Sequence, residues 1–290
     1  MMAAGEISVK LMMESSDLAR LVEFSEARAY ASLMQAAPPA FLLEHGLRSV
    51  SIGSAVAVVA ESVTNTLNMN RVIGLGVAEP ATESMLDEIT MLYAPRQLSF
   101  GIEVGPCALP RDVLTWLRKR RIRRAMPTAI HYRVAEPIDV AHKAISVIRA
   151  DGSEREIVAD ICCAVFRMPN VAHTLLAGTA NLPGWRQWLV YREGRAVAAA
   201  LSFIRGDVAW LGWDATLPEF RGHGAQSALI SHRVNDAVRA GCRYVTTETA
   251  PNTADNADPS YRNYARLGFA LAYERVTYIG VGADLSRQNE

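Results

Sequence analysis

Apolar positions fall into short runs whose period changes along the chain, most plainly in the second half. Residues 144–149 alternate and read as a short strand, and the turn at Asp151 to Ser153 leads into an amphipathic helix over 154–168. Asn170 reads as the cap of a second helix, which Pro183-Gly184 breaks after about residue 180. Three strands follow over 187–192, 196–204 and 208–217. Glu193-Gly194 and Gly206-Asp207 are hairpin signals, so these strands form an antiparallel meander. From Gly224 to Ala240 the period becomes helical, through Ala228, Leu229, Val234 and Val238, and Gly241 stands at the C-terminal cap. Tyr244 to Thr249 is a β-branched strand, residues 251–259 are a polar loop, Ser260 to Leu267 is a helix stopped by Gly268, and 269–279 is a last strand.

This order is β-α-α-β-β-β-α-β-α-β, a mixed α/β arrangement. Its β-α-β step should be a right-handed crossover between parallel strands. The first half repeats the grammar more faintly. A helix over 17–35 precedes two short strands within 49–62, a strand over 71–77 and a helix from Pro80 to Tyr93 with proline at its start. A strand over 98–104, a helix over 110–121 and a strand over 128–133 complete it. The pattern predicts two like domains in tandem, 1–138 and 139–290, joined near residues 134–143, each a mixed, mostly antiparallel sheet flanked by helices.

Composition adds mainly exclusions. The 290 residues are half apolar and carry 30 basic and 30 acidic side chains. Residues 1–140 hold 14 basic and 15 acidic groups and residues 141–290 hold 16 and 15, so neither half has the excess of a nucleic-acid binder. The run Arg118 to Arg124 closes a helix, where basic residues suit the dipole, and does not change that reading. Cys107, Cys162, Cys163 and Cys242 make neither a metal-ligand spacing nor a disulfide framework. The opening residues carry acids where a secretory signal needs an apolar run, and the longest apolar stretch, near Ser54 to Ala60, is too short for a bilayer. A cytoplasmic monomer or homodimer without membrane or metal is expected.

Chemistry concentrates in Asp214-Ala-Thr-Leu-Pro-Glu-Phe-Arg-Gly-His-Gly-Ala-Gln226. A strand runs through a proline into Arg221-Gly222-His223-Gly224, and a long helix starts at once. Glycines let backbone N–H groups turn inward, and the first helical turn adds unpaired donors and a positive dipole end. Together they make an anion cradle, to which Arg221 adds charge. The loop lacks the Gly-Lys-Ser/Thr of a Walker motif and the third glycine of a dinucleotide fingerprint.

About forty residues on stands Ser260-Tyr-Arg-Asn-Tyr264-Ala-Arg-Leu-Gly-Phe269. The loop and this segment, with one strand between them, resemble two motifs of the acyl-CoA-dependent N-acetyltransferases of the GNAT superfamily. The first is its Q/R-x-x-G-x-G/A loop and the second its Tyr-x-x-Leu-Gly-Phe ending. The element order is also similar. The resemblance covers residues 144–282, and residues 1–140 only in outline. Glu219 stands at the Q/R position and removes one donor.

The resemblance implies acetyl-CoA as co-substrate, a small-molecule amine as acceptor and direct attack without a metal. Backbone groups at Thr216 and Leu217 would pair with the pantetheine arm, as in strand addition. Gly222, His223, Gly224, Ala225 and Gln226, with Arg221, would hold the pyrophosphate. Asn256 would touch the cofactor, one residue out of register with the family. Tyr264 matches the family's general acid, with Tyr261 one turn earlier as the fallback. Asp214 and Glu248 are the candidate bases, and Glu248 could instead bind the amine. A backbone N–H near Leu217 would hold the oxyanion. The first half reads Val77-Ala-Glu-Pro-Ala-Thr-Glu-Ser84 in place of the cradle and aligns Leu117 with Tyr264, so it is a degenerate repeat, a scaffold and cleft wall. An acyl-CoA-binding regulator without turnover, or an enzyme for longer acyl chains, fits the same residues.

Overall fold

The computed structural model describes residues 14–64, 66–139, 145–253 and 258–282. Among the described residues, eleven strands form one sheet. The first half supplies β1 (Leu47–Ile52), β2 (Ala55–Ala60), β3 (Arg71–Ile73), β4 (Ser99–Val104) and β5 (Arg123–Val134). The second supplies β6 (Ser146–Arg149), β7 (Trp185–Arg192), β8 (Arg195–Arg205), β9 (Val208–Thr216), β10 (Tyr244–Thr249) and β11 (Ala270–Val281). The helices are α1 (Ser15–Leu33), α2 (Pro39–Glu44), α3 (Glu83–Leu92), α4 (Val113–Lys119), α5 (Arg155–Phe166), α6 (Asn170–Gly178), α7 (Ala225–Arg239) and α8 (Pro259–Arg266).

Each half builds an antiparallel meander, β1-β2-β3 or β7-β8-β9, then a helix and a parallel strand: β3-α3-β4 and β9-α7-β10. The final strands are exchanged. β5 of the first half pairs with β10, and β11 of the second pairs with β4, while β5 and β11 pair with each other at the centre. The sheet order is therefore β1-β2-β3-β4-β11-β5-β10-β9-β8-β7-β6. The two halves share one sheet, and their junction lies in its middle.

Alternation along the strands sorts two layers of helices. Val58 and Ala60 of β2, and Ala199, Leu201 and Phe203 of β8, meet α1, α5 and α6 on one face. Ala57 and Val59 of β2 meet α3 and α4 on the other face. There Ala198 and Ala200 of β8 meet α7, and Val245 of β10 packs with α7 and α8. Gly241, at φ +79°, ends α7 with the paired bonds of a Schellman cap, Cys242 N–H to Ala237 and Gly241 N–H to Val238.

Several local expectations need correction. Asn170 is the first residue of α6 rather than its cap, and Pro169 precedes it in extended conformation. Thr82, not Pro80, starts α3: its hydroxyl accepts the Met85 N–H. Strand β3 ends at Ile73 because Gly74 and Gly76 turn the chain through positive φ. The helix α2 lay in a proline-containing stretch that periodicity did not mark. Among the described residues no helix is long and apolar enough to cross a membrane.

Candidate active site

Strands β9 and β10 pair only from Val208–Leu211 to Tyr244–Thr247, and beyond this β9 separates from its neighbour. On its other side β9 bulges against β8: Ala199 to Leu201 faces Ala215 to Gly212, and Trp213 takes φ +57°. A bulge bends a strand and re-aims its side chains. Here it widens the gap and brings Asp214 to its mouth. Leu217 uses its N–H on the Val197 carbonyl at 3.0 Å. The N–H of Leu217 is thus spent inside the sheet and does not serve the gap, contrary to the sequence expectation. The Thr216 carbonyl faces outward and accepts Arg221 Nε at 3.3 Å; its N–H shares that side, as strand geometry requires.

The loop after β9 carries Gly222 at φ +79° and Gly224 at φ +84°. Gly224 caps α7 without a side-chain acceptor, and the first intrahelical bond is Ala228 N–H to Gly224 at 3.0 Å. The N–H groups of Ala225, Gln226 and Ser227 therefore have no partner within the helix. They open on a groove of about 1080 Å³ lined by Arg221, Gly222, Gly224, Ala225 and Gln226, and by α8 opposite. Gln226 bridges the helices, donating to Ser260 and accepting from Asn263, each at 2.7 Å. His223 lies on a separate hollow of about 490 Å³ beside Tyr191 and Val197. Its side chain is not on the groove. Glu219 is paired with Arg195 at 3.0 Å, turned to solvent. Asn256 lies outside the described residues.

Asp258 caps α8, accepting the Tyr261 N–H at 2.7 Å. The helix puts Tyr264 inward, 1% exposed. Its hydroxyl donates to Asp214 Oδ2 at 2.9 Å and accepts Arg233 Nη2 at 3.3 Å, while Arg233 also binds Asp214 Oδ1. Burial, and then the Asp214 charge, push the Tyr264 pKa well up, so the phenol keeps its proton. Tyr264 lies behind Asp214 rather than on the groove wall, and Tyr261 is on that wall. His131 of β5 meets Tyr261 edge-on at 4.7 Å, lies parallel to Tyr264 at 6.3 Å and shares a hydrogen bond with Thr249 at 3.0 Å. Burial lowers its pKa to about 4, leaving it neutral.

Asp214, Phe166 and Ser260 also line a second, smaller cavity, about 130 Å³, on the far side of the gap. Its other walls are Tyr30, Asn68, Trp210, Gly212, Trp213, Thr247 and Glu248. Glu248 meets Arg275 at 2.7 Å and Arg71 at 3.4 Å. Burial works to raise its pKa, and the two arginines overcome it and hold the carboxyl below its usual range. An ionised, doubly paired carboxylate suits cation binding better than proton uptake. Sequence reasoning brought Asp214, Glu248 and Tyr264 forward and missed Arg233, His131, Arg71 and Arg275. The available signal was a charge at core spacing: Arg233 falls on the helical stripe of Leu229, Ile230, Val234 and Ala237.

Residues 164–269 match the acetyltransferase (GNAT) family model. No curated protein matches the sequence. Among solved structures, a GCN5-related N-acetyltransferase from Kribbella flavida is similar over 95% of this chain and 99% of its own, at 15% identity and a TM-score of 0.63. One from Sphaerobacter thermophilus is similar over 92% and 95%, at 17% identity and 0.56. A tandem GNAT protein from the clavulanic acid biosynthesis pathway is similar over 69% and 70%, at 16% identity and 0.52. At such identities the likeness speaks to fold, while the family match speaks to the sequence of the segment that carries the groove. Residues 164–269 thus match the acetyltransferase (GNAT) family model, and the whole chain is similar in fold to these solved structures.

Proposed function

We propose that the protein is an N-acetyltransferase that moves an acetyl group from acetyl-CoA to an amine of a small molecule. One observation carries the reading. Asp214, hydrogen-bonded to the Tyr264 phenol, lines both the groove of the glycine cradle and the small cavity beyond the gap. A donor on one side and an acceptor on the other would therefore meet at Asp214, with the phenol hydrogen-bonded directly behind it.

The residues fit acyl-CoA. Free N–H groups at the start of α7 and the turned glycines suit a pyrophosphate, and the outward Thr216 backbone suits an amide-bearing arm. When bound, acetyl-CoA supplies the acyl carbon: the amine nitrogen bonds to it, the C–S bond breaks, and a thiolate departs. Tyr264 holds the proton that this thiolate needs. Arg233 is placed to steady the phenol oxygen as the proton leaves, and Asp214 keeps both in register. The amine gives up its own proton to water through the open groove. Glu248 binds the acceptor. In this reading the division is 1–138 for scaffold and cleft wall and 139–290 for catalysis, with the exchanged strands tying them.

Incubating the purified protein with acetyl-CoA and a panel of amines, while following free thiol, tests this. Amine-dependent thiol release is expected. Failure to bind acetyl-CoA at all overturns the reading, and tight binding without release replaces it by an acyl-CoA-binding regulator.

A further inference from the structure

Where the two halves meet, four carboxylates share two guanidinium groups. Glu23 and Glu26 come from α1, Arg71 from β3, Glu103 from β4, Glu248 from β10 and Arg275 from β11. Arg275 lies 3.0 Å from Glu23, 2.6 Å from Glu26, 3.4 Å from Glu103 and 2.7 Å from Glu248. Arg71 lies 2.7 Å from Glu26, 3.2 Å from Glu103 and 3.4 Å from Glu248. Tyr273 donates to Glu23 at 2.8 Å and Thr277 to Glu103 at 3.0 Å. Within the cluster the acids outnumber the cations, a costly arrangement for buried charge.

One member of the cluster reaches beyond it. Glu248 keeps 24% of its side chain exposed, against 5% or less for the other five members. That exposed part lines the small cavity. Burial pushes Glu26 up to about 7 and also raises Glu23, whereas Glu248 stays ionised. The excess acid is thereby buried behind the carboxylate that is held ionised and meets the cavity. Tyr30, Phe166, Trp210 and Trp213 surround it with aromatic faces, which attract cations. A second observation points to a ligand. Trp213 is 8% exposed, and its indole N–H has no acceptor. A buried donor of this kind calls for an acceptor atom, which a ligand in the cavity would have to carry beside its cationic group.

We propose that Arg71, Arg275, Glu23, Glu26 and Glu103 are positioning residues that fix Glu248 as the carboxylate of an acceptor subsite, and that this subsite takes a permanently cationic group of the acceptor other than the nitrogen that is acylated. The inference rests on the acyl-transfer reading for the word acceptor. Its chemistry follows from the pairing: the reacting nitrogen must lose its proton, and a fixed anion would hold that proton on. A carboxylate kept ionised by two arginines is matched to a charge that stays. The first half of the chain then sets specificity, because Glu23, Glu26, Arg71 and Glu103 all belong to it.

The test uses the full-length protein without acetyl-CoA, so it does not depend on turnover. Tryptophan fluorescence from Trp210 and Trp213 reports binding at pH 7 of n-butylamine, a cation, and n-butanol, its uncharged isostere. The amine should bind about tenfold more tightly or better. Glu248→Gln should erase that preference. Glu26→Gln and, separately, Glu103→Gln should weaken the amine by about threefold and leave the alcohol unchanged, whereas a purely structural role would move both probes alike. Equal binding of the two probes overturns the subsite, and an unchanged preference in both cluster variants overturns the positioning role. In thiol release, 1,4-diaminobutane should show a lower KM than n-butylamine, an advantage lost in Glu248→Gln; equal KM values overturn the second charge. Cation binding without thiol release would keep the subsite and sink acetyl transfer.

Discussion

Leu117 and Tyr264 occupy the same station in the two halves. Each is buried on the short helix before an exchanged strand, and each accepts, five residues on, the N–H that closes the helix: Ile122 to Leu117 and Phe269 to Tyr264, at 3.0 and 3.1 Å. The openings of the halves differ as instructively. In the second, β9 and β10 part and leave a gap. In the first, the space beyond β3 is filled by the chain itself: Leu109 donates to Gly76 at 2.9 Å and accepts from Ala81 at 2.7 Å. Likewise α3 begins with a capped turn, its Met85 N–H taken by Thr82, whereas α7 begins at Gly224 with no side-chain cap. One half satisfies its polar backbone internally and closes; the other leaves those groups open on a groove.

The comparison breaks most visibly at Tyr264. Tyr264→Phe keeps the packing that Leu117 also provides and removes the proton, so kcat should fall about 10²- to 10³-fold with acetyl-CoA affinity held within about twofold. The reverse change, Leu117→Tyr, should confer no activity and cost about 1–3 kcal/mol by overpacking a full core. A normal rate in Tyr264→Phe, measured by thiol release, would return that phenol to a packing role.

Next in size is the cradle. Gly222 is at φ +79° and a side chain there would meet open space, so Gly222→Val acts through the backbone alone. Free of neighbours, the loop should relax out of the left-handed conformation, so the melting temperature moves little, while restoring the cradle on binding costs about 1–3 kcal/mol and calorimetry should show acetyl-CoA binding weakened about tenfold or more. The matched change in the first half, Thr82→Ala, uncaps α3 and should cost about 1 kcal/mol of stability without touching acetyl-CoA affinity.

How far the sequence could be read follows from the same contrast. Glycines at forced φ, a strand-to-helix step and a tyrosine before a helix stop are local signals, and they located the cradle and Tyr264. The antiparallel meander and the parallel crossover were legible because hairpin turns and period changes are local too. The exchange of β5 and β11 was not, since each strand's pattern is satisfied by either neighbour. The Glu23–Glu26 pair was hidden for a related reason. Both residues stand on the buried stripe of α1 with Ala19, Val22, Tyr30 and Leu33, but a glutamate reads as surface until its arginines, dozens to hundreds of residues away, are seen beside it. Leu217 and His223 were misplaced by alternation: each lies one residue from a group that does face the groove.

The junction of the halves should also show in the pH dependence of stability. Glu26 has its pKa raised by burial from 4.5 to about 7, so its contribution is full below about 4.5 and is lost as pH rises through about 7. His131, lowered by burial from 6.5 to about 4, acts in the opposite sense: its contribution is full above 6.5 and lost as pH falls through about 4. Between pH 6.5 and 8 only the first slope operates of these two. Chemical denaturation should show the protein losing on the order of 1 kcal/mol across that window, and Glu26→Gln should flatten the loss. A wild-type curve that is already flat would separate Glu26 from the cluster.

The smallest effect tests whether the halves are still one fold at their helix stops. Arg121 and Gly268 each follow the short helix in left-handed conformation, at φ +57° and +79°. Only glycine adopts it without strain, and an arginine there costs about 1 kcal/mol of backbone preference. Arg121→Gly should therefore stabilise the protein by about 0.5 kcal/mol, the gain being trimmed by the extra freedom of the unfolded chain. Gly268→Ala should do the reverse by about 1 kcal/mol or more. Its Cβ would also approach Arg133 Nη1, which donates to the Leu267 carbonyl at 2.9 Å, so the arginine must swing aside and release that carbonyl. Thermal melts of the two variants decide the matter. Opposite signs mean that the stop is one device, kept with glycine where Tyr264 must be held in register and allowed to lapse where Leu117 merely fills space. Equal signs would mean that the two helix ends are held by different neighbours and share only their shape.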